Sequence, residues 1–202
     1  MSTVISLRGT NGAGKSTMVR NFMERMGQPT RKLGLDGKLA GYMFTRTDTS
    51  KVFVLGRYET ACGGLDATYS YPGAADDLCQ DIVDCANSPG DVVCEGVVAL
   101  SSYGIGRLQT LAETLKTFHH NIVFALLDTP EEICIERVQA RRLAKGNLKP
   151  FDPANLHSKY EGIKKDQQRL AARGLDCCLV SNEDWIETLI LRDHIEKQFR
   201  TV

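Results

Sequence analysis

The chain has 202 residues, with 25 lysines and arginines against 25 aspartates and glutamates, and 42% of it is apolar. That length suits one domain with a full core, and a formal net charge of zero gives no bulk positive field for nucleic acid, leaving only a local basic patch. No apolar run is long enough to span a membrane and no signal peptide is organised at the N-terminus. Seven cysteines without a C-x-x-C pair argue against zinc and fit reduced, buried thiols in a cytoplasmic protein.

Val4 to Leu7 is a short apolar run ending at Arg8 and predicts a strand. Lys15 to Met26 has helical spacing through Met18, Val19, Phe22 and Met26. "TRKLGLDGKLAGYMF" reads as a hairpin turning at Asp36-Gly37. "KVFVL", 51–55, is a further strand, followed by a loop rich in Gly and Tyr, 56–73. Ala74 to Ala86 is helical through Leu78, Ile82 and Val83, and Asn87-Ser88-Pro89-Gly90 stops it.

"DVVCEG", 91–96, is a short buried strand, and 104–118 a helix with Leu108, Leu111, Leu115 and Phe118 on one side. The almost wholly apolar "NIVFALLD", 121–128, suits a central parallel strand covered on both faces. Thr129 is the expected cap of the next helix, with Pro130 at its first position and Glu131 and Glu132 in its first turn. A loop at 144–153 precedes helices at 153–173 and 182–199, which flank a last strand, 176–180. Alternating strands and helices predict a three-layer α/β/α sandwich on a mainly parallel sheet, one domain over 1–202.

Gly9 to Ser16 matches G-x-x-x-x-G-K-[ST] without a gap, between the required strand and helix. Glycines there let successive amides turn towards phosphate oxygens, and the helix N-terminus adds partial positive charge. The residues expected around an ATP triphosphate are Asn11, Gly12, Ala13, Gly14, Lys15, Ser16 and Thr17. Lys15 reaches the β- and γ-phosphates, and the Ser16 hydroxyl holds Mg²⁺. Glu95 ends a buried strand, where ligands gather in open α/β sheets. It is read as a magnesium holder or proton acceptor, against the plainer role of capping the next turn. Asp128 has the same choice, with helix capping ahead.

Arg137 and Arg141 share a helix face, with Arg142 beside them, ahead of a lid around 141–153. Guanidinium groups there can clamp a transferring phosphoryl group, or merely match the helix dipole. On the acceptor side, Arg57 is expected to hold a phosphate, Tyr58 to stack on a base, and Gly63-Gly64 to admit a close backbone approach. Asp66 is expected to orient or deprotonate the acceptor hydroxyl. Tyr69 and Tyr71 either join it or only pack the loop. Asp36 is a turn residue, and His119 and His120 cap a helix.

"GTNGAGKST", "VLGRYETACGGLD", "VVCEG" and "ALLDTPEEICIERVQARR" together resemble the thymidylate-kinase-like P-loop proteins of bacteriophages, most of all the 5-hydroxymethyluracil DNA kinases of thymine-hypermodifying phages. The resemblance spans about 1–180 and implies a P-loop NTPase fold with a lid, ATP and Mg²⁺, and phosphorylation of a base hydroxymethyl group in duplex DNA. On that reading the loop from Arg57 to Pro72 enters the DNA while Lys145 and Lys149 meet its phosphates. The Asp-Arg-Tyr or Glu-Arg-Ser signature of ordinary thymidylate and deoxynucleoside kinases is absent, since Gly96 and Val97 follow Glu95. The alternative is a deoxynucleoside monophosphate kinase using the same site on free nucleotides. An NTP-driven switch ranks below both, because no Asn-Lys-x-Asp signature occurs. A homodimer is compatible with either kinase.

Overall fold

The computed structural model describes residues 1–35, 38–59, 64–65, 68–96, 104–181, 186 and 189–190. Strands β1 (Thr3–Arg8), β4 (Lys51–Leu55), β5 (Gly90–Glu95), β6 (Asn121–Leu127) and β7 (Asp176–Val180) run parallel. The antiparallel strands β2 (Arg31–Leu35) and β3 (Lys38–Thr45) extend the β4 edge, giving the order β2-β3-β4-β5-β1-β6-β7. The predicted hairpin is therefore present, with Leu35 opposite Lys38, while its Asp36-Gly37 turn lies outside the described residues.

Strand parity sorts the core onto two faces, because successive side chains point to opposite sides of the sheet. Ile5, Leu7, Val52, Val54, Val93, Val123, Ala125 and Leu127 face one layer, built by α1 (Lys15–Met26) through Met18, Val19 and Phe22 and by α4 (Glu131–Ala144) through Cys134 and Val138. Buried Ile186, Leu189 and Ile190, from the segment expected to be helical at 182–199, join this layer. Val4, Phe53, Leu55, Val92, Cys94, Ile122 and Phe124 face the other, where α2 (Ala74–Asn87) brings Leu78 and Ile82 and α3 (Gly104–Thr117) brings Leu108, Leu111 and Leu115. The long α5 (Ala154–Ala171) serves both, with Leu156 in the first cluster and Leu170 in the second.

Three sequence expectations change. Phe118 is 49% exposed rather than on the inner face, because α3 ends at Thr117. The chain then turns left-handed at His119, φ 61°, and the His120 amide donates back to the Leu115 carbonyl at 2.9 Å. The histidines thus close the helix through backbone, while the His120 ring bridges the Ser2 amide and the Asn87 side chain. Neither Thr129 nor Asp128 caps α4. Pro130 occupies the cap position without a side-chain hydrogen bond, and the Asp128 amide donates to Val180 at 2.9 Å.

Buried Asp91, which the sequence reading passed over, is a strut: its carboxylate accepts the Thr3 amide at 2.9 Å and pairs with Arg46 at 2.7 Å. Loss of one partner from such a buried pair costs far more than the pair itself contributes. The six described cysteines are free thiols, and Cys62 lies outside the described residues.

Candidate active site

β1 delivers the chain to the loop at Arg8, and Gly9, Gly12 and Gly14 all take positive φ as it wraps back into α1. At Gly12 the need for glycine is steric as well: a Cβ would stand 2.4 Å from the Cys134 carbonyl oxygen of α4. Gly14 is the left-handed N-cap of α1 and no side chain caps the helix there, which leaves the positive end of the helix at the loop. The Lys15 ammonium, buried, donates to the carbonyls of Gly9 at 2.8 Å and Thr10 at 3.1 Å. Thr129 supports the loop from below, its hydroxyl donating to the Ala13 carbonyl at 2.8 Å. That is why it does not cap α4.

Glu95 has the parity of Val93 on β5 and therefore emerges on the α1 side of the sheet. It is 2% exposed, and its Oε1 accepts the Ser16 hydroxyl at 2.6 Å. Gly64 packs on the same carboxylate: a Cβ on it would fall 2.3 Å from Oε1, and its φ is +100°. The Gly64 amide donates to the Arg57 carbonyl at 2.7 Å, closing an isolated antiparallel bridge. Thus the base of the expected acceptor loop is pinned against the carboxylate expected to serve the phosphate loop. Gly63 and Asp66 lie outside the described residues.

Tyr58 is not an open stacking platform. It is 6% exposed, its ring lies 6.4 Å from that of Tyr42 at a 45° tilt, and its hydroxyl points to the Leu55 carbonyl at 3.4 Å. Burial first, then the nearby Glu95 carboxylate, raises its phenol well above the usual range. Tyr42 in turn donates to Glu59 at 2.6 Å. Tyr69 and Tyr71 settle for packing, each tied to α2, through Asp81 at 2.5 Å and Asp77 at 2.8 Å.

On α4, Arg137 reaches back to the phosphate loop, donating to the Gly12 carbonyl at 3.3 Å. Arg141 follows one turn along the same face, half-buried. Arg142 instead staples the next loop, donating to the Lys149 carbonyl at 3.1 Å and lying over the Phe151 ring at 5.6 Å. Arg8 was missed altogether. It is 3% exposed, its Nε and Nη1 find no hydrogen-bond partner among the described residues, and burial lowers its pKa. Nothing in the sequence distinguishes it from any strand-end arginine.

The donor set fits a magnesium nucleotide. A hydroxyl and a carboxylate already in contact at the head of α1 offer two hard oxygen ligands, beside a loop of inward-turning amides and one ammonium. Sheet order, loop and carboxylate define a P-loop kinase. No protein-family model matches the chain. A 5-hmdU DNA kinase of Pseudomonas phage PaMx11 is 34% identical over 180 residues, 85% of this chain and 87% of that protein. A second 5-hmdU DNA kinase, of Delftia phage PhiW-14, is 30% identical over 179 residues, 85% of this chain but 65% of the longer relative. The chain belongs to the 5-hmdU DNA kinase family of phages. In fold it is also similar to a solved chain of the PezAT toxin-antitoxin system of Streptococcus pneumoniae, with a TM-score of 0.50 at 15% identity, over 91% of this chain and 68% of that one. No helix among the described residues is long and apolar enough to cross a membrane.

Proposed function

We propose that the chain transfers the γ-phosphoryl group of ATP to the hydroxymethyl oxygen of 5-hydroxymethyluracil in duplex DNA. The observation that carries this reading is Glu95, which meets both the Ser16 hydroxyl of the phosphate loop and Gly64 at the base of the acceptor loop. Donor and acceptor sides of a transfer meet at that carboxylate. The names of the two phage relatives supply the acceptor.

The roles follow from the chemistry of each group. Loop amides of residues 11–17 and the Lys15 ammonium hold the triphosphate, so Lys15 exchanges its two carbonyl partners for phosphate oxygens. Ser16 and Glu95 are the residues that would hold Mg²⁺, which offsets phosphate charge when bound. Arg137 and Arg141, on the α4 face that leads into the lid at residues 141–153, clamp the transferring group. Arg57 and Gly64 position the acceptor, with Gly63 and Asp66 assigned to the same loop. The hydroxymethyl oxygen forms the new P–O bond, the bond to ADP breaks, and a carboxylate, Asp66 or Glu95, takes the proton.

The test is transfer of label from γ-labelled ATP to a duplex carrying 5-hydroxymethyluracil, to the same strand unpaired, and to free deoxynucleotides. Label on DNA supports the proposal. Label on mononucleotides alone replaces it with the deoxynucleotide-kinase reading.

A further inference from the structure

We infer that the lid carries a wedge that opens duplex DNA: Leu148, flanked by Lys145 and Lys149, enters the base stack where the target nucleotide leaves it. The inference rests on the DNA-base reading above and names the element that such a substrate demands. A hydroxymethyl group inside a duplex reaches a buried carboxylate only if its nucleotide is extruded.

Charge and exposure point to the lid. The lid, residues 141–153, carries four cations, Arg141, Arg142, Lys145 and Lys149, against one carboxylate, Asp152, within a protein of zero net charge. At the tip of this segment Leu148 is 82% exposed, the most exposed large apolar side chain among the described residues, and Leu143 is 62% exposed. Taking such a leucine out of water is favourable. An apolar point among cations has nothing to offer a triphosphate. It matches a duplex, which is anionic outside and stacked inside, and apolar wedges are the means by which proteins part base steps.

The tip is also braced. Amides of Lys145 and Asn147 donate to the Arg142 carbonyl at 3.1 and 3.0 Å, and that of Gly146 to Leu143 at 2.8 Å. The Lys149 amide donates to the Asn147 side chain at 3.2 Å, and the Arg142 guanidinium ties down the far end through the Lys149 carbonyl. A preformed turn presents Leu148 with little ordering left to do on binding.

Other surfaces serve less well. Among the described residues of 57–72, expected to enter the DNA, Tyr58, Leu65 and Tyr69 are buried and Tyr71 is bonded to Asp77, which leaves Pro72 as the exposed apolar side chain, without cations beside it. A cavity of about 850 Å³ lined by Lys116, His119 and Arg173 also contains Glu113 and Asp176. It opens at the N-terminal ends of β6 and β7, opposite the phosphate loop.

The test uses a 5-hydroxymethyluracil duplex with 2-aminopurine beside the target, and the same strand unpaired. Wild-type protein without nucleotide should raise 2-aminopurine fluorescence in the duplex. Leu148→Ala should lose that rise and lower the duplex-to-single-strand ratio of kcat/KM by about 10–100-fold, the equivalent of a few kcal/mol of unstacking. Leu148→Phe should restore both. The double change Lys145→Ala, Lys149→Ala should reduce the salt slope of duplex binding by about 2. If wild type phosphorylates the duplex and Leu148→Ala keeps the ratio and the fluorescence, the wedge is refuted while the kinase reading stands. Equal losses on both strands, with the fluorescence rise intact, refute it too, since Leu148 then serves lid closure. Wild type that labels mononucleotides alone overturns the DNA reading and the wedge with it.

Discussion

Ser16 and Glu95, 79 residues apart in the chain, meet hydroxyl to carboxylate at 2.6 Å. One sits at the head of α1, the other at the tip of β5, and the contact joins the phosphate loop to the strand beside it. Glu95→Gln keeps a carbonyl oxygen that can accept the Ser16 hydroxyl but removes the negative charge. Transfer should fall by roughly 10²–10³-fold and half-maximal activity should require more magnesium, with the melting temperature little changed. Near-normal turnover would remove Glu95 from the mechanism.

Lys15 ties the carbonyls of Gly9 and Thr10. Lys15→Ala therefore loses these internal bonds together with the phosphate contact that the proposed function assigns to it. Transfer should drop by roughly 10²–10³-fold, and stability should fall by about 1 kcal/mol per hydrogen bond lost. Steady-state kinetics and urea unfolding on one preparation separate the two effects.

Thr129 acts on the loop at one remove. Thr129→Val has the same shape and leaves the Ala13 carbonyl without its donor, at a cost of about 1–3 kcal/mol for a buried group. Calorimetry should find weaker ATP binding as the loop loses its support, and Thr129→Ser should restore it. A valine variant with unchanged affinity and stability would mean that the hydroxyl contact is idle.

Gly64→Ala places a Cβ where Glu95 Oε1 stands and demands φ +100° of an alanine. Either the loop base lifts or the carboxylate turns away from Ser16. Activity should be lost to at least the extent seen in Glu95→Gln, accompanied here by a lower melting temperature. Gly73, whose Cβ would meet nothing within 4 Å, is the control for left-handed strain alone.

Three phenols set an alkaline limit. Burial, with Glu59 next, pushes Tyr42 up to about 12. Burial likewise raises Tyr58 and Tyr69, helped by Glu95 and by the hydrogen bond to Asp81 respectively. The native state holds these protons more tightly than the unfolded chain, where tyrosine titrates near 10. Their contribution is therefore intact below about pH 10 and is lost as pH rises through the raised native values. Urea unfolding at pH 8, 10 and 11 should show this decline, and Tyr42→Phe should lessen it.

Local pattern made much of this legible. The phosphate loop, the helix from Lys15 to Met26 and the strand from Asp176 to Val180 could be bounded from spacing and glycine placement alone, because their physics is local. Glu95 was legible for the same reason, as a charge ending an apolar run. Thr129 was misread because its sequence neighbours mimic a helix cap, while its partner, Ala13, lies 116 residues away. Tyr58 was misread because burial depends on what packs beside a ring, here Tyr42 on the neighbouring strand β3.

By itself, the sequence determined the fold class, through the alternation of strand and helix patterns, and marked the P-loop, through residue order over a dozen positions. Only the tertiary structure decided which carboxylate meets Ser16, that Gly64 packs on it, and that Arg137 turns to the Gly12 carbonyl while Leu148 is exposed. Those outcomes depend on strand parity and sheet order, which bring distant residues within a hydrogen bond of one another and leave no trace in local spacing.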